Sequence, residues 1–471
     1  MSSPVSPLGS SVLFHGPWTV PLLAGLLVLG VAPPGLSGAR TTVAAPVHDD
    51  FDGDGYQDLA VGAPGATIGG RSRAGYVVVL YGGPHGLSKN RRTVISRSTR
   101  GIPGAPVQEQ GFGAQLTKAD LNHDGRTDLV VGLARMKGDA VVVWGGSRGL
   151  TGGTSVPATK TQAGDFDGDG TDDLALFRTD RSMVDDPRGS TGTVWTGPLS
   201  RSGTPAAERA LDPGHLKHYD IVAGATGDVN GDGRDDLALQ VYIGDGGYGT
   251  RFYTASAAGL TDATDTAPPG DGASALGDVD GDGYDDLVVG FTNTARIRVA
   301  RGSAAGLRPE STWKSYSQNT PGVPGTADEI NGFGDVLAVG DITGDGIDDV
   351  AVGVLRQEIR YEDGAGTVDV LRGSRTGLTG QGAQAISQDT EGVVGTSEAG
   401  DVFGSAVQLL DINGNGYADL AISAAGEDAG NGRVWLLRGR PTGVVTDAAL
   451  VLDGRAVGAP YARAGFGQAL R

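Results

Sequence analysis

Cysteine is absent from this chain of 471 residues, which excludes disulfide bonds and a lipid-modified cysteine. An exported protein without disulfides needs another way to hold its loops together. Aromatic residues make up only 6% and apolar residues 38%, which is lean for a conventional core but far from a disordered composition. Positive charge is also in deficit, since the formal net charge is −19. This acidic balance argues against nucleic acid as a partner.

Long hydrophobic runs are scarce as well. The run VPLLAGLLVLGVA at residues 20–32 is shorter than the roughly 20 residues that a membrane-spanning helix needs, and no other segment could span a bilayer. It is typical of a secretory signal, and Ser37 and Ala39 suit the small-residue positions before a cleavage site. We therefore expect a signal peptide over residues 1–39 and a secreted or cell-surface location. No Lys or Arg precedes the run, so a retained anchor and a misassigned start are the alternatives.

Glycine, in contrast, is abundant, with 82 residues, and an acidic glycine-containing motif is repeated along the chain. The first copy reads DFDGDGYQDLAVG and begins at Asp50. Six further copies follow at spacings of 70, 45, 63, 50, 63 and 70 residues, which indicates a repeat architecture. These copies begin at Asp120, Asp165, Asp228, Asp278, Asp341 and Asp411.

A second element with strand-like alternation follows the acidic motifs and runs into a glycine turn, as in YVVVLYGGPHGL at residues 76–87 and TVDVLRGSRTGL at residues 367–378. Each repeat therefore supplies about four short strands. Four-stranded sheets repeated around an axis form a β-propeller. The sequence predicts an all-β protein with a seven-bladed propeller over residues 40–471, and a linear solenoid is the alternative.

The two ends of the repeat region favour a closed ring. A Phe-Gly pair precedes three of the acidic motifs by eight residues, beginning at Phe112, Phe333 and Phe403. The first motif lacks this pair, whereas the chain ends with Phe466 and Gly467 and no motif after them. We predict that this tail supplies the missing first strand of the blade that contains Asp50. Such pairing would leave no open sheet edge.

The acidic loops have the residue pattern of a calcium site. Positions 1, 3, 5 and 9 carry oxygen-bearing side chains and position 6 is always Gly, which is the donor chemistry and turn that Ca²⁺ requires. An EF-hand would need a Glu at position 12, where all seven copies have an apolar residue. The alternative is that Asp and Gly merely form turns. We predict up to seven structural Ca²⁺ ions.

The predicted ligands are side chains at positions 1, 3, 5 and 9 and a backbone carbonyl at position 7. They are Asp50, Asp52, Asp54, Tyr56 and Asp58 in loop 1; Asp120, Asn122, Asp124, Arg126 and Asp128 in loop 2; Asp165, Asp167, Asp169, Thr171 and Asp173 in loop 3; Asp228, Asn230, Asp232, Arg234 and Asp236 in loop 4; Asp278, Asp280, Asp282, Tyr284 and Asp286 in loop 5; Asp341, Thr343, Asp345, Ile347 and Asp349 in loop 6; and Asp411, Asn413, Asn415, Tyr417 and Asp419 in loop 7. Loops 1, 3 and 5 carry four carboxylates each and loop 7 only two. Because ligand charge helps to set affinity, we expect the Asp411 loop to bind most weakly.

The Phe-Gly pairs, the DxDGDGxxDL loops and the VGAP at residues 61–64 together resemble FG-GAP repeats. Those repeats build the N-terminal propeller of integrin α subunits and occur in many bacterial surface proteins. The resemblance covers about residues 46–471, although copies 3 to 5 lack the Phe-Gly pair, which leaves their first strands less certain. It implies a seven-bladed propeller, calcium in the hairpin loops, and ligand binding or cell adhesion by surface loops.

A ligand surface is expected on the face opposite the acidic loops, because each Phe-Gly strand runs from an interblade connector to an acidic loop. Four long connectors lead into blades 2, 6, 7 and 1, which become neighbours when the ring closes; they span residues 95–113, 316–334, 386–404 and 452–467. We hypothesise that a monomer binds a protein or glycan ligand there, the alternative being that the connectors only bridge blades. The candidate contacts are Arg97, Arg100, Gln108, Glu109, Tyr316, Glu329, Glu391 and Tyr461.

No catalytic constellation is evident in the sequence. GGSRG at residues 145–149 matches a nucleophile elbow, but the equivalent turn reads GGPHG at residues 82–86, so Ser147 is a turn residue. HLKH at residues 215–218 offers two imidazoles without an apparent third ligand. The sequence therefore favours a binding module over an enzyme. The alternative is a hydrolase related to glycosylphosphatidylinositol-specific phospholipase D, whose propeller part alone this chain resembles.

Overall fold

The sheets of the molecule form a ring of seven blades, each with four antiparallel strands, as the repeats predict. This computed structural model describes residues 48–134, 138–179 and 186–471, so the expected signal peptide lies outside the described residues. Within these ranges, no helix is both long and apolar enough to cross a membrane.

The strands are five to eight residues long in most blades and are numbered along the chain. Blade 1 contains β1 (Leu59–Ala63), β2 (Tyr76–Leu80), β3 (Arg92–Ser96) and β28 (Ala469–Leu470); blade 2 contains β4 (Phe112–Ala119), β5 (Asp128–Leu133), β6 (Ala140–Trp144) and β7 (Thr151–Val156). Blade 3 contains β8 (Lys160–Gly164), β9 (Asp173–Thr179), β10 (Ser190–Thr196) and β11 (Ala207–Leu211); blade 4 contains β12 (Asp220–Gly227), β13 (Asp236–Gly244), β14 (Gly247–Thr254) and β15 (Thr261–Asp262).

The remaining three blades repeat the same order of strands. Blade 5 contains β16 (Ser274–Gly277), β17 (Asp286–Phe291), β18 (Arg296–Ala300) and β19 (Lys314–Tyr316); blade 6 contains β20 (Phe333–Gly340), β21 (Asp349–Val354), β22 (Thr367–Arg372) and β23 (Thr379–Ile386); blade 7 contains β24 (Phe403–Leu410), β25 (Asp419–Ala424), β26 (Arg433–Arg438) and β27 (Val445–Leu452). Short helical turns occupy Leu216–His218, Thr264–Thr266, Thr292–Thr294, Glu310–Thr312 and Glu427–Gly430.

The core lies between neighbouring blades, so the middle strands of a blade are buried on both faces. Every residue of β1 (LAVGA) and β2 (YVVVL) is buried, which explains why these strands read as continuous apolar runs. Val77 and Val79 of β2 pack with Leu129 and Val131 of β5 in one cluster that joins blades 1 and 2. The stacking of blades therefore replaces the single large core that the composition could not supply.

The ring is closed by the C-terminal tail, which confirms the prediction from the split repeat. Strand β28 pairs antiparallel with β1, where Leu470 lies opposite Val61 and Ala469 opposite Gly62. The fully buried Phe466 packs into the apolar cluster shared by blades 7 and 1. Blade 1 therefore combines strands from the beginning and from the end of the repeat region.

The Phe-Gly pair has a packing role at the start of a first strand. Phe112 is fully buried, and Gly113 has a φ of 91°, which is costly for other residues. A Cβ on Gly113 would also lie 2.7 Å from the carbonyl oxygen of Tyr76 in the preceding blade. Blades 3 to 5 form their first strands without this pair, so the doubt about those strands is removed.

Candidate metal centres in the acidic loops

In blades 2 to 7 the acidic loop joins the first strand to the second, and in blade 1 it leads directly into the second strand, β1. In every loop the first aspartate organises the turn. In loop 1, one carboxylate oxygen of Asp50 accepts the amide hydrogen of Gly53 at 2.6 Å and the other accepts that of Gly55 at 2.7 Å. The bond to the position-6 glycine recurs in the other six loops. The position-1 carboxylates therefore lie inside the turns, where the sequence predicts metal ligands.

The aspartate at position 9 is the first residue of the second strand in blades 2 to 7 and immediately precedes that strand in blade 1, and it is almost completely buried in all seven loops. In loop 1, Asp58 accepts hydrogen bonds from the backbone amides of Phe51 at 2.8 Å and Gly82 at 2.7 Å. Burial raises the pKa of Asp58 to about 8, because the ionised carboxylate loses hydration. Burial also raises the position-9 pKa to about 7 in loops 2 to 5 and to about 6 in loops 6 and 7. A bound cation would favour the ionised form of these groups.

Three of the seven loops bring three carboxylates together, with their nearest oxygen atoms all within 4.8 Å of one another. These are loops 1, 3 and 5, the loops with four carboxylates in the sequence. The groups are Asp50, Asp52 and Asp58; Asp165, Asp167 and Asp173; and Asp278, Asp280 and Asp282. In the described parts of loops 2, 4, 6 and 7 no such group of three forms.

The position-3 aspartate of each cluster has a buried carboxylate oxygen without a hydrogen-bond partner. The three atoms are Oδ1 of Asp52, Asp167 and Asp280. Burial raises the pKa of all three groups. Because buried polar atoms are normally paired, these oxygens call for a further partner. Clustered carboxylates with a free oxygen fit a hard cation such as Ca²⁺, which takes about six to eight oxygen ligands.

Arginines from the turn between the third and fourth strands also contact these carboxylates, which the sequence did not reveal. In loop 1, Arg91 lies 3.0 Å from Asp52 and 2.7 Å from Asp54. In loop 5, Arg301 lies 2.8 Å from Asp280. These arginines use Oδ2 of Asp52 and Asp280 and leave the unpartnered Oδ1 atoms free for another ligand.

Loops 2 and 7 carry an amide where the clusters carry the position-3 carboxylate. Nδ2 of Asn122 lies 3.2 Å from Asp128, and Nδ2 of Asn413 lies 3.0 Å from Asp419. This hydrogen bond connects position 3 to position 9 without a cation. In loop 4, the side chain of Asn230 instead accepts an amide hydrogen within its own loop.

The remaining predicted ligands surround position 7. In six loops the position-5 side chain accepts the amide hydrogen of the position-7 residue, as Asp54 does from Tyr56 at 3.2 Å. This bond shapes the backbone at position 7, whose carbonyl the sequence predicts as a ligand. Only in loop 5 does the position-5 carboxylate belong to a three-carboxylate cluster.

Position 8, for which the sequence analysis predicts no role, connects neighbouring blades. Oδ2 of Asp235 in loop 4 accepts the amide hydrogen of Asp165 in loop 3 at 3.0 Å. Asp172, Asp285 and Asp348 make the same bond to the preceding loop. The first member of each Asp-Asp pair therefore forms a hydrogen bond with the backbone of the preceding acidic loop. The recurrence of the Asp-Asp pair is visible in the sequence. The amide that its first member binds belongs to another repeat, and the sequence does not show this contact.

His215 does have acidic neighbours that its local sequence does not show. Asp212 lies 2.8 Å and Asp262 3.8 Å from its Nδ1. Arg251, however, lies 3.5 Å from Asp212 and also pairs closely with Asp262. The guanidinium of Arg251 thus pairs with both carboxylates, and the group forms an ion-pair network.

The predicted ligand surface divides into buried and exposed residues. Arg97 is buried, donates to the carbonyl oxygen of Pro103 at 2.6 Å and lies over the ring of Phe112, so it is a structural residue and the assignment to a ligand surface was wrong. Tyr316 packs against the core of blades 5 and 6. Glu109 pairs with Arg73, and Tyr461 donates to Asp428 and stacks on Arg455. The exposed candidates are Arg100, Gln108, Glu329 and Glu391.

Exposed apolar side chains on this face were not identified from the sequence. Tyr361 is 94% exposed at the hairpin between β21 and β22, and Ile330 is 70% exposed on the neighbouring connector. Val107 and Val394 are exposed on two other long connectors. Single exposed hydrophobic residues are common on protein surfaces. These four are notable only because they all lie on one face.

Comparison with known proteins agrees with this architecture. The family described as FG-GAP repeat matches residues 43–80, 272–297 and 403–437, which include loops 1, 5 and 7. Integrin alpha-8 of Gallus gallus is 36% identical over 143 residues, or 30% of this chain and 13% of that protein. Phosphatidylinositol-glycan-specific phospholipase D of Rattus norvegicus is 30% identical over 145 residues, or 27% of this chain and 17% of that protein. The matches thus span less than a fifth of these relatives' length.

A solved rhamnogalacturonan lyase of Bacillus licheniformis aligns with 79% of this chain and 65% of its own, at 13% identity and a TM-score of 0.34, a likeness too weak to carry any functional argument. The fold and the loops define the class of the protein as a seven-bladed β-propeller. Within that class, the chain carries FG-GAP repeats and is similar to integrin α subunits.

Proposed function

We propose that this protein is a secreted or cell-surface module that binds a protein or glycan ligand and uses structural calcium to stabilise its acidic loops. Three carboxylate clusters, each with an unpartnered buried oxygen, carry the calcium part of this proposal. The similarity to integrin α subunits supports the adhesion part, and the hydrophobic run at residues 20–32 supports secretion.

Loops 1, 3 and 5 are the strongest candidates for calcium. Position-1, position-3 and position-9 carboxylates would hold the ion in loops 1 and 3, and positions 1, 3 and 5 in loop 5. The position-7 carbonyl oxygens of Tyr56, Thr171 and Tyr284 would complete these sites. When bound, calcium supplies positive charge to carboxylates that are buried close together, which stabilises the hairpins. In loops 2 and 7 the asparagine–aspartate hydrogen bond reduces the need for an ion.

The ligand surface would lie on the face formed by the long connectors and by the hairpins between second and third strands. The exposed side chains on this face include Arg100, Glu329 and Glu391 as polar contacts and Ile330 and Tyr361 as apolar ones. A combination of apolar contacts with charged groups suits a protein or glycan partner. The acidic loops lie at the opposite ends of the strands and would act at a distance, by rigidifying the blades.

Calorimetric titration of metal-depleted protein with Ca²⁺ tests the first part. We expect at least three ions to bind per chain and the melting temperature to rise with calcium and fall with chelator. A triple variant with Asp52→Asn, Asp167→Asn and Asp280→Asn should lose these sites. Asp447→Asn, an exposed aspartate on β27, is the control. Identical melting of the wild type with and without chelator would contradict the calcium proposal.

A binding screen against glycans and extracellular-matrix proteins, with and without calcium, tests the second part. For any ligand found, the combined alanine variant of Arg100, Gln108, Glu329 and Glu391 should bind at least tenfold more weakly. Arg148→Ala, an exposed residue in a turn at the acidic-loop end, should bind like the wild type. Unchanged binding by the combined variant would place the ligand elsewhere. Because one relative is a phospholipase, phospholipid and glycan hydrolysis are assayed on the same samples.

A further inference from the structure

The first strands of the blades enclose a channel on the axis of the ring. One cavity in this channel has a volume of about 410 Å³ and is lined by residues of β4, β8, β12, β16, β20, β24 and β28. A second cavity, of about 220 Å³, shares with it the residues Gly224, Ser274, Leu337 and Arg471. The two cavities therefore adjoin within one channel, which is large enough for a small molecule.

The charge of this lining is opposite to that of the whole chain, whose formal net charge is −19. Among the described residues that line the two cavities, the cationic ones are Lys118, Lys160 and Arg471. The one acidic residue among them is Asp335, which already pairs with Arg356 at 3.3 Å. The channel is thus lined by an excess of positive charge. A positive potential inside a narrow channel attracts anions.

Two of these cations form no ion pair with a carboxylate in the described parts of the chain. Nζ of Lys160 donates to the carbonyl oxygens of Ile221 at 2.6 Å and Val222 at 3.0 Å. The guanidinium of Arg471 donates to the carbonyl oxygen of Leu470 at 3.1 Å. Both residues are partly buried, and burial lowers the pKa of Lys160 to about 8. Because charged groups that are withdrawn from water normally have a counter-charge, these two cations call for an anion.

The third cation, Lys118, has a carboxylate partner that it shares. Its Nζ lies 2.5 Å from Oδ2 of Asp49. The charge of Arg471 is close enough to Lys118 to oppose its protonated form, and Asp49 is also the carboxylate whose charge acts on Arg471. One carboxylate side chain therefore faces two cations, which repel each other in a partly buried place.

The rest of the lining is neutral, and the described residues at the two cavities include no aromatic ring. The amides of Gln162 and Gln408 and the hydroxyl of Thr226 belong to residues that line the smaller cavity. Amides and hydroxyls can donate further hydrogen bonds to an oxyanion. A nucleobase, in contrast, normally stacks on an aromatic side chain. The lining therefore favours a compact oxyanion over a nucleotide.

We propose that the channel is a binding site for a small oxyanion, either a carboxylate or a phosphate- or sulfate-type group. Arg471 lines both cavities and would be the main ligand, with Lys118 in the smaller cavity and Lys160 in the larger one. Oxyanions accept charge-assisted hydrogen bonds from guanidinium and ammonium groups. Since Lys118 lies in β4, Lys160 in β8 and Arg471 directly after β28, the anion would connect blades 2 and 3 with the strand that closes the ring.

A crystal soaked in sodium selenate and measured at the selenium absorption edge tests the site directly. We expect an anomalous peak in the channel beside the guanidinium of Arg471. Peaks confined to exposed arginines such as Arg148 would overturn the inference. A peak in the channel without any binding in solution would mean binding at crystal concentration only, and would overturn it as well. The site requires neither calcium in the acidic loops nor a ligand on the face formed by the long connectors, so its failure would leave the proposed function intact.

Calorimetric titration with sodium sulfate and, separately, with sodium succinate, at constant ionic strength, measures the affinity in solution. We expect at least one of the two anions to bind the wild type with a Kd below about 1 mM. Tighter binding of succinate would support a carboxylate ligand, and tighter binding of sulfate a phosphate- or sulfate-type ligand. Binding of neither anion would overturn the site.

Two variants and a matched control locate the binding. Arg471→Gln removes the guanidinium and keeps the two backbone hydrogen bonds between residue 471 and Ala60, so we expect it to fold. This variant and Lys160→Gln should each bind the anion at least tenfold more weakly, because each loses a charge-assisted hydrogen bond. Arg148→Gln makes the same change in net charge at an exposed turn and should bind like the wild type. Equal affinity in all four proteins would overturn the site.

Discussion

Gln318 and Asp369 form a hydrogen bond in the interior of blade 6, with 3.0 Å between Nε2 of the glutamine and Oδ2 of the aspartate. Asp369 is fully buried in β22, and the corresponding residue of blade 7 is Trp435. Burial raises the pKa of Asp369 to about 7, and the hydrogen bond from Gln318 offsets only part of this effect. The folded protein therefore favours the protonated form of this carboxyl group.

Asp369 should make the stability of the fold dependent on pH. Its folded-state pKa lies above its unfolded value, so its contribution is fully present below about pH 4 and is lost as pH rises through about 7. Asp369→Asn should therefore match the wild type at pH 4 and be more stable at pH 8, by at most about 4 kcal/mol. Urea denaturation at both pH values measures this, with Asp447→Asn as the exposed control. A stability difference that is the same at both pH values would contradict the prediction.

Closure of the ring should depend on Phe466. This side chain is fully buried between blades 7 and 1, so Phe466→Ala should lower the free energy of unfolding by about 3–5 kcal/mol. Tyr361→Ala, which removes an aromatic ring that is 94% exposed, should change it by less than about 0.5 kcal/mol. Chemical denaturation of the three proteins at fixed calcium provides the comparison. Equal loss in both variants would mean that the tail does not hold the ring.

The aspartates at position 8 should stabilise contacts between blades. Asp235→Ala removes the acceptor of the partly buried amide of Asp165, and we expect a loss of about 1–3 kcal/mol. Asp235→Asn keeps an oxygen acceptor at the same position and should lose less than half as much. Thermal unfolding at fixed calcium compares the two variants. If both lose the same stability, the negative charge and not the hydrogen bond is what matters.

The identity of the position-3 residue should set the affinity of each loop for calcium. Asn413→Asp adds a carboxylate to loop 7 and removes the hydrogen bond to Asp419, so it should bind calcium at least tenfold more tightly at that loop. Asp52→Asn should have the opposite effect in loop 1. Calorimetric titration of the metal-depleted proteins with Ca²⁺ measures both changes in affinity. Unaltered binding in both variants would show that position 3 is not a ligand.

The repeat and its closure could be predicted from the sequence because their signals are local or periodic. Asp50 and its six counterparts recur with the same internal spacing, and Phe466-Gly467 is a recognisable fragment of the motif. The grouping of four carboxylates in loops 1, 3 and 5 also anticipated which loops form three-carboxylate clusters. These features depend on residues that are close together in the chain.

Contacts between blades could not be predicted because they depend on how one repeat packs on the next. Nothing near Arg97 in the sequence shows that its guanidinium lies over Phe112, and nothing near Asp235 shows that it accepts the amide of Asp165. Arg91 reaches Asp52 only because the turn between the third and fourth strands lies beside the acidic loop. Such relationships require the register of whole strands, which a repeat motif does not specify.

The two-residue strand β28 joins the last part of the ring to β1. A tensile force applied between residue 58 and residue 471 would therefore act on blade 1 alone, through the few hydrogen bonds between β28 and β1. The other six blades would carry none of that load until these hydrogen bonds broke. A module anchored on one side of this junction and loaded on the other would release at a single mechanical weak point, while most of the face formed by the long connectors kept its structure.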